Sequence, residues 1–264
     1  MHARIGDHDI HYRIDGEGPW LTLSHSLAVG SAMWEPQLAA LTPHFKVLRV
    51  DTRGHGGSSV PAGPCTLEDL ADDVRGLYRV LGIAHSHWLG LSMGGMIGQT
   101  FALKYPDVLT RLVLADTTAR GAPNAQAMWG ERIATARSKG MQGLLDGTLA
   151  RWFTEPYRAA HPEVVARVAA LIESTAVEGY CACCAAIAQL DVLDRLHEID
   201  VPALVIVGEQ DQATPPQMSR DMHSRMAGSE LLVLSNAAHL ASTEQAAAFN
   251  AAVLEFLLRE RTSA

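Results

Sequence analysis

Short apolar segments alternate with helix-like segments along most of this 264-residue chain, and the alternation limits the folds that the chain can adopt. The apolar segments are rich in Val, Leu and Ile, as parallel strands are when helices cover both faces of their sheet. The predicted strands are residues 8–14, 20–25, 46–51, 85–91, 111–116, 203–208 and 230–234. We therefore expect an α/β fold, with βαβ units and a mostly parallel central sheet flanked by helices.

Residues 120–196 interrupt this alternation. Strands are predicted on both sides of this block but not inside it, and its helical patterns are 125–140, 141–152, 162–175 and 177–190. We interpret the block as a helical cap inserted into a core of residues 1–119 and 197–264. Ligands of α/β proteins bind at the carboxyl ends of the strands, so a cap there is expected to cover a binding site. Core helices are predicted at 34–41, 67–81, 96–105, 217–226 and 244–259.

The composition excludes several classes of partner. The chain has 21 Lys and Arg against 29 Asp and Glu, a formal net charge of −8, whereas a nucleic-acid-binding protein needs a basic face. The N-terminal residues lack the apolar core of a signal peptide, and the most apolar long stretch, 88–103, is interrupted by glycines and polar residues. We expect a cytoplasmic protein that binds a small molecule and neither nucleic acid nor a membrane.

Three of the four cysteines, Cys181, Cys183 and Cys184, lie within four residues of each other, and the fourth is Cys65. This spacing does not suit a disulfide framework, which agrees with a reducing compartment. A zinc site would need a second pair of ligands that the cluster lacks. We expect buried apolar thiols at these positions and no metal.

The sequence Gly90-Leu91-Ser92-Met93-Gly94 matches the pattern G-x-S-x-G and lies directly between an apolar strand and a helix. In this context the pattern is typical of a nucleophilic serine on a strained strand-to-helix turn. Glycine is expected at both ends of the pattern because a side chain there would collide with the turn. The amides at the N-terminus of the following helix point to the same place, where they can stabilise an oxyanion. Ser92 is therefore the predicted nucleophile.

A serine hydroxyl is a weak nucleophile and needs a base that a third group orients. After a nucleophile of this kind, the acid and then the histidine follow along the chain. Asp211 follows one predicted strand and His239 follows the last, which places both at the same edge of the sheet as Ser92. We predict Asp211 as the acid and His239 as the base. Asp116, at the end of an earlier strand, is an alternative acid, and Glu209 is a weaker one.

An oxyanion hole needs two backbone N–H groups. One is predicted at Met93, directly after the nucleophile. The other is expected from the loop after the strand 20–25, with Leu27 as the candidate and Ser26 as the alternative. His25 is expected to fix this loop through a side-chain hydrogen bond.

The segment 51–59 is rich in glycine but lacks the lysine of a phosphate-binding P-loop, so we interpret it as a structural turn. This loop, the spacing of Ser92, Asp211 and His239, and the helical insertion together resemble the α/β-hydrolase superfamily over essentially the whole chain. More narrowly, several segments resemble the 3-oxoadipate enol-lactonases. They are 25–27 with 33–34, 129–132, 151–154, 183–187 and 208–216.

The resemblance implies a serine hydrolase that opens an enol-lactone bearing a carboxylate, in the catabolism of aromatic compounds, without a metal or organic cofactor. A buried carboxylate requires a cation or several donors. The cap offers four arginines for this purpose, Arg132, Arg137, Arg151 and Arg158. Arg132 lies three residues after Trp129, so both share one helix face, and we predict this pair as substrate-binding residues.

Two alternatives keep the same fold. One is another activity of the superfamily, such as a carboxylesterase, a C–C hydrolase or a cofactor-free haloperoxidase. The other is a catalytically silent ligand receptor, which is disfavoured because such proteins usually lose members of the catalytic triad. A haloalkane dehalogenase is excluded, because its nucleophile is an aspartate and the residue here is Ser92.

Overall fold

Eight strands form one central sheet in the computed structural model, which describes residues 1–259. They are β1 (His2–Ile5), β2 (His8–Asp15), β3 (Trp20–Ser24), β4 (Lys46–Val50), β5 (Ser86–Leu91), β6 (Leu109–Ala115), β7 (Ala203–Gly208) and β8 (Glu230–Leu234). Their order across the sheet is β1-β2-β4-β3-β5-β6-β7-β8. The β1–β2 and β2–β4 pairs are antiparallel, and the other pairs are parallel. The predicted α/β fold with a mostly parallel sheet is confirmed.

The burial of the strands explains their sequence patterns. Every residue of β7 is buried, so this strand consists of Ala, Leu, Val, Ile and Gly without a polar position. In β2, at the antiparallel side of the sheet, only Ile10 and Tyr12 are buried. Their spacing of two gives the alternating pattern of a strand with one buried face.

Helices flank the sheet. They are α1 (Glu35–Leu41), α2 (Leu67–Leu81), α3 (Met93–Lys104), α4 (Ala125–Lys139), α5 (Leu145–Trp152), α6 (Glu155–Ala160), α7 (Pro162–Glu173), α8 (Val177–Ile187), α9 (Pro216–Arg225), α10 (Ala241–Glu244) and α11 (Ala246–Leu258). Within residues 1–259, no single helix is long and apolar enough to cross a membrane; α7 and α8 meet that test only as a pair, and the pair is bent by 92°.

Several elements differ from the sequence predictions, among them the short cap helix α6, which no predicted helix covers. The sequence pattern does not predict β1, because a strand of four residues is too short to show a period. Helix α3 begins at Met93 rather than at residue 96, since it starts directly after Ser92. The predicted helix 244–259 is divided at Gln245 into α10 and α11.

Helices α4 to α8 lie between β6 and β7, in the segment that the sequence analysis assigns to the cap. Where the chain leaves and re-enters the core, Arg120 and Asp191 form an antiparallel bridge. At another point, the backbones of Gly54 in the core and Gly179 in α8 are so close that a Cβ on either would collide with the other. The cap is therefore held against the core by close backbone packing as well as by its two connections.

The turn from β5 into α3 leaves no space for side chains at Gly90 and Gly94. A Cβ on Gly90 would collide with the carbonyl group of Gly94, and a Cβ on Gly94 would collide with the carbonyl group of Ser24 in β3. Both obstacles are backbone atoms of buried elements, which cannot move aside as a flexible side chain can. The steric role predicted for the two glycines is confirmed.

We expect Gly94→Ala to lower the free energy of unfolding by about 1–3 kcal/mol or more, because the added methyl group overpacks a rigid turn. Gly130→Ala is a matched control, since nothing lies within 4 Å of a Cβ at Gly130 in α4. That control should stabilise the helix by up to about 1 kcal/mol. Urea denaturation of both variants measures the difference, and an undiminished stability of Gly94→Ala would contradict the steric account.

Candidate active site

Ser92 lies between the carboxyl end of β5 and the first residue of α3, with a backbone conformation that residues other than glycine rarely adopt (φ 55°, ψ −116°). Two hydrogen bonds hold this strained backbone. The Ser92 N–H donates to the carbonyl oxygen of Ala115 at 2.9 Å, and the Ser92 carbonyl oxygen accepts from Thr117 Oγ1 at 2.7 Å. The residue is 8% exposed and lines a cavity. The turn therefore presents the predicted nucleophile to that cavity from a rigid support.

His239 and Asp211, the predicted base and acid, are brought together by the structure. The distance from His239 Nδ1 to Asp211 Oδ2 is 2.8 Å, and both residues are buried. A neutral imidazole that donates from Nδ1 to the carboxylate has Nε2 available to accept a proton. His239 lines the same cavity as Ser92, which supports the predicted pairing of base and nucleophile.

The carboxylate of Asp211 is fixed by further donors. Oδ1 accepts from the amides of Ala213 (2.7 Å) and Thr214 (3.0 Å), and Oδ2 accepts from Thr214 Oγ1 (2.7 Å). Burial raises the pKa of Asp211, but the charge of His239 and the hydrogen bonds from His239 and Thr214 more than offset burial, so the pKa is lowered. Asp211 is therefore ionised at neutral pH and can stabilise an imidazolium at His239.

Asp116, the alternative acid, has a different environment. It is fully buried, and its Oδ1 accepts a hydrogen bond from the Gly208 amide at 2.8 Å. Within residues 1–259 no hydrogen bond connects Asp116 with His239. Burial and the charge of Asp211 raise the pKa of Asp116 well above its usual value, which favours the neutral form of this side chain. The geometry favours Asp211 as the orienting acid, and Glu209 is exposed.

The loop after β3 offers one free amide to the cavity. Its neighbours are occupied, because Ser26 N donates to Met33 Sδ (3.3 Å) and Ala28 N donates to His55 Nε2 (3.1 Å). In the part of the chain that the structure describes, the Leu27 amide has no such acceptor, and Leu27 lines the cavity. This arrangement supports Leu27 rather than Ser26 as an oxyanion donor. Met93 is the first residue of α3, where an amide has no partner within the helix.

Two buried histidines, His25 and His55, hold this loop through hydrogen bonds. His25 donates from Nδ1 to the carbonyl oxygen of Ser26 (2.7 Å) and accepts from the Thr52 amide at Nε2 (2.9 Å). Burial lowers the pKa of His25, and it lowers the pKa of His55 to about 3. Both rings are therefore neutral and can accept hydrogen bonds from amides. The structural role predicted for His25 is confirmed.

The cavity in front of Ser92 has a volume of about 230 Å³ and is lined by the core and the cap together. Pockets of this size are at the small end of those that bind organic ligands, so the space suits a small substrate. The core contributes Ser26, Leu27, Ser92, Met96, Gln212, Ala213, Thr214 and His239, and the cap contributes Met128, Trp129, Arg132, Arg151, Trp152 and Ile187.

The cap side of the cavity is cationic. The Arg132 guanidinium lies 5.2 Å from the centre of the Trp129 ring, a cation–π contact, and Arg151 lies in the same wall. Among the described residues, neither arginine forms an ion pair, and no Asp or Glu lines the cavity. Arg137, by contrast, forms an exposed ion pair with Glu178 (2.9 Å). This cavity therefore has two positive charges available for an anionic ligand.

The sequence analysis does not identify Thr214, Trp152 or Glu244 as parts of the site. The signal for Thr214 is local, because Asp followed three residues later by Thr is typical of a side-chain-to-backbone turn. The ring of Trp152 lies 6.0 Å from that of His239. Glu244 accepts hydrogen bonds from Ala238 and from Thr154, and no local pattern indicates the contact with Thr154, which is 90 residues away in sequence.

The four cysteines lie outside this cavity. All four are buried and free of disulfides. Cys181, Cys183 and Cys184 belong to α8, and the Cys183 thiol donates to the carbonyl oxygen of Arg53 at 3.8 Å. Burial raises the pKa of Cys184 to about 12, so this thiol is not a nucleophile at neutral pH.

Comparison with known proteins gives two close sequence relatives. A 3-oxoadipate enol-lactonase of Acinetobacter baylyi (enol-lactonase 2) is 36% identical over 235 residues, which are 89% of this chain and 87% of the relative. A putative carbamate hydrolase, RutD, of Agrobacterium fabrum is 31% identical over 257 residues, which are 95% of this chain and 97% of the relative. The names agree on hydrolysis and differ in the substrate.

Among solved structures, the enol-lactonase from Burkholderia xenovorans LB400 matches with a TM-score of 0.95 at 42% identity, and the match covers 98% of this chain and 100% of that chain. The predicted resemblance to the enol-lactonases and the prediction of a hydrolase are confirmed. The family model of the alpha/beta hydrolase fold matches residues 19–246, so this chain belongs to the α/β-hydrolase fold family.

Proposed function

We propose that this chain hydrolyses 3-oxoadipate enol-lactone to 3-oxoadipate by Ser-His-Asp catalysis. The observation that carries the proposal is the presence of Arg132 and Arg151 in the same small cavity as Ser92 and His239. Such a substrate has a carboxylate arm beside the lactone ring. A guanidinium stabilises a carboxylate that leaves water through paired, charged hydrogen bonds, so the cap binds the arm while the ring lies at Ser92.

In the proposed reaction, Ser92 Oγ attacks the lactone carbonyl as His239 Nε2 accepts the hydroxyl proton. Asp211 stabilises the imidazolium, and the amides of Leu27 and Met93 stabilise the oxyanion. Loss of one such donor costs about 2.7–4 kcal/mol in comparable sites. The ring oxygen then leaves as an enolate, which is more stable than an alkoxide, and takes the proton from His239 to give an enol. The enol tautomerises to the ketone after release.

Water completes the cycle. With the proton transferred to the leaving group, His239 is neutral again and activates a water molecule that attacks the acyl-enzyme. The second tetrahedral intermediate uses the same two amides. These steps need only acid–base and nucleophilic chemistry, which the side chains of the proposed triad supply without a metal or organic cofactor.

The proposal is tested by assaying the purified protein with 3-oxoadipate enol-lactone, a neutral aryl ester and an N-substituted carbamate. We expect kcat/KM for the lactone to exceed the other two values by on the order of 100-fold, the discrimination that one charged hydrogen bond can supply. Ser92→Ala should lower kcat by about 10⁴-fold while the circular dichroism spectrum is unchanged. A preference for the ester or the carbamate would assign the chain to another activity of the superfamily.

The two buried acids provide a second prediction. Asp211→Asn should lower kcat by about 10⁴-fold, because a neutral amide stabilises the wrong tautomer of His239. Asp116→Asn should lower kcat by less than about tenfold, since an amide resembles the neutral acid and still accepts from the Gly208 amide. Steady-state kinetics with the aryl ester measures both effects. The opposite ranking would identify Asp116 as the acid.

The third prediction concerns the cap. Arg132→Ala should raise KM for the lactone by about tenfold or more, the effect of losing a charged hydrogen bond, and should leave hydrolysis of the neutral ester nearly unchanged. Arg137→Ala is the matched control, because it removes an arginine of the same helix that lies outside the cavity. Equal losses of activity on both substrates would mean that Arg132 supports the cap rather than the substrate.

A further inference from the structure

Glu244, the last residue of α10, is a buried carboxylate between the cap and the core. Its Oε1 accepts hydrogen bonds from the amide and the hydroxyl of Thr154, both at 2.8 Å, and its Oε2 accepts from the amide of Ala238. The residue is 8% exposed, and within residues 1–259 no Lys or Arg forms an ion pair with it. A carboxylate buried without a cation depends on its hydrogen-bond donors, so these three donors fix its position.

One partner of Glu244 belongs to the core and the other belongs to the cap. Ala238 directly precedes His239 in the core, and Thr154 is the N-cap residue of α6 in the cap. A further hydrogen bond, from the Leu240 amide to the Trp152 carbonyl oxygen at 3.0 Å, joins the same two segments. The cap is therefore hydrogen-bonded directly to the residue after His239, and through Glu244 to the residue before it.

We propose that Glu244 is a positioning residue that holds the cap and the loop of His239 together. Its hydrogen bonds to both keep the imidazole aligned with Ser92. Glu244 does not line the cavity and acts through Ala238 and Thr154. The inference rests on the proposed function only for the choice of the lactone as an assay substrate. The base must be aligned for any acyl group that Ser92 attacks.

A neutral amide distinguishes positioning from a merely structural contribution. In Glu244→Gln, one oxygen becomes an NH₂ group, so either Ala238 or Thr154 loses its acceptor and faces a second donor. A structural contribution alone would lower the melting temperature and leave the rate of the folded enzyme unchanged. A positioning role lowers the reactivity of Ser92 in protein that is still folded.

The measurement is the rate at which an alkyl fluorophosphonate modifies Ser92, since this reaction needs the nucleophile, the base and the oxyanion hole but not the lactone. We expect Glu244→Gln, at a temperature where its circular dichroism matches that of the unmodified sequence, to react about tenfold more slowly or worse. With either the lactone or the aryl ester, kcat should fall by a similar factor, while KM changes by less than about threefold.

Thr154 supplies the matched pair of variants. Thr154→Ser keeps the hydroxyl and should react at the original rate, whereas Thr154→Val removes it and should react several-fold more slowly. Glu244→Gln and Thr154→Val act on one hydrogen-bonded unit. The double variant should therefore react little more slowly than the slower of the two single variants. If Glu244→Gln does not fold, the comparison of Ser with Val at position 154 decides.

Unchanged fluorophosphonate rates in folded Glu244→Gln, or in Thr154→Val where that comparison decides, would overturn the positioning role. A different outcome would contradict the proposed function alone. In that outcome, the unmodified protein reacts with the fluorophosphonate but does not hydrolyse the lactone. In that case the rates of the Glu244 and Thr154 variants still confirm or overturn the inference.

Discussion

The hydrogen bond between His239 and Asp211 joins two loops at the carboxyl edge of the sheet, and the rest of the site depends on it. The bond is possible because the parallel strands β7 and β8 end side by side and their following loops come into backbone contact. At Gly208, the last residue of β7, a Cβ would collide with the carbonyl groups of Ala237 and Ala238. A side chain at this glycine would separate the loops and with them the acid and the base. The distance between the proposed acid and base thus depends on a residue to which the proposed chemistry gives no part.

The same sheet edge holds two buried aspartates, and their environments shift their pKa values in opposite directions. In the described part of the chain, Asp211 receives hydrogen bonds from two amides, a hydroxyl and an imidazole, whereas Asp116 receives one, from the Gly208 amide. Because two ionised carboxylates repel each other and Asp116 has fewer donors, the pKa of Asp116 is the one that is raised. Both aspartates follow a strand, so position does not distinguish them. The hydrogen-bond donors around each carboxylate identify Asp211 as the acid of the proposed triad.

Features set by residues adjacent in sequence can be predicted from the sequence. The strands follow from local runs of apolar residues, and the position of Ser92 follows from a five-residue pattern between a strand and a helix. Asp211 and His239 can be proposed because topology places the ends of parallel strands at one edge. The choice of Asp211 over Asp116, and of the Leu27 amide over that of Ser26, depends on which groups are already hydrogen-bonded. Some of those partners are local, such as Thr214 for Asp211. Others, such as His239 for Asp211 and His55 for Ala28, come from distant segments, so a local pattern contains only part of the answer.

The cap and the core divide the site between them. Both arginines of the cavity wall belong to the cap, and the proposed nucleophile, base and oxyanion donors belong to the core. Substitutions on the cap face of the cavity can therefore change which substrate is bound while the reacting groups keep their geometry. The segments around Trp152 and Thr154 are the exception, because they are hydrogen-bonded to the loop of His239. A substitution made there to change specificity would also move His239. Substitutions in the wall that carries the arginines can change specificity without that effect.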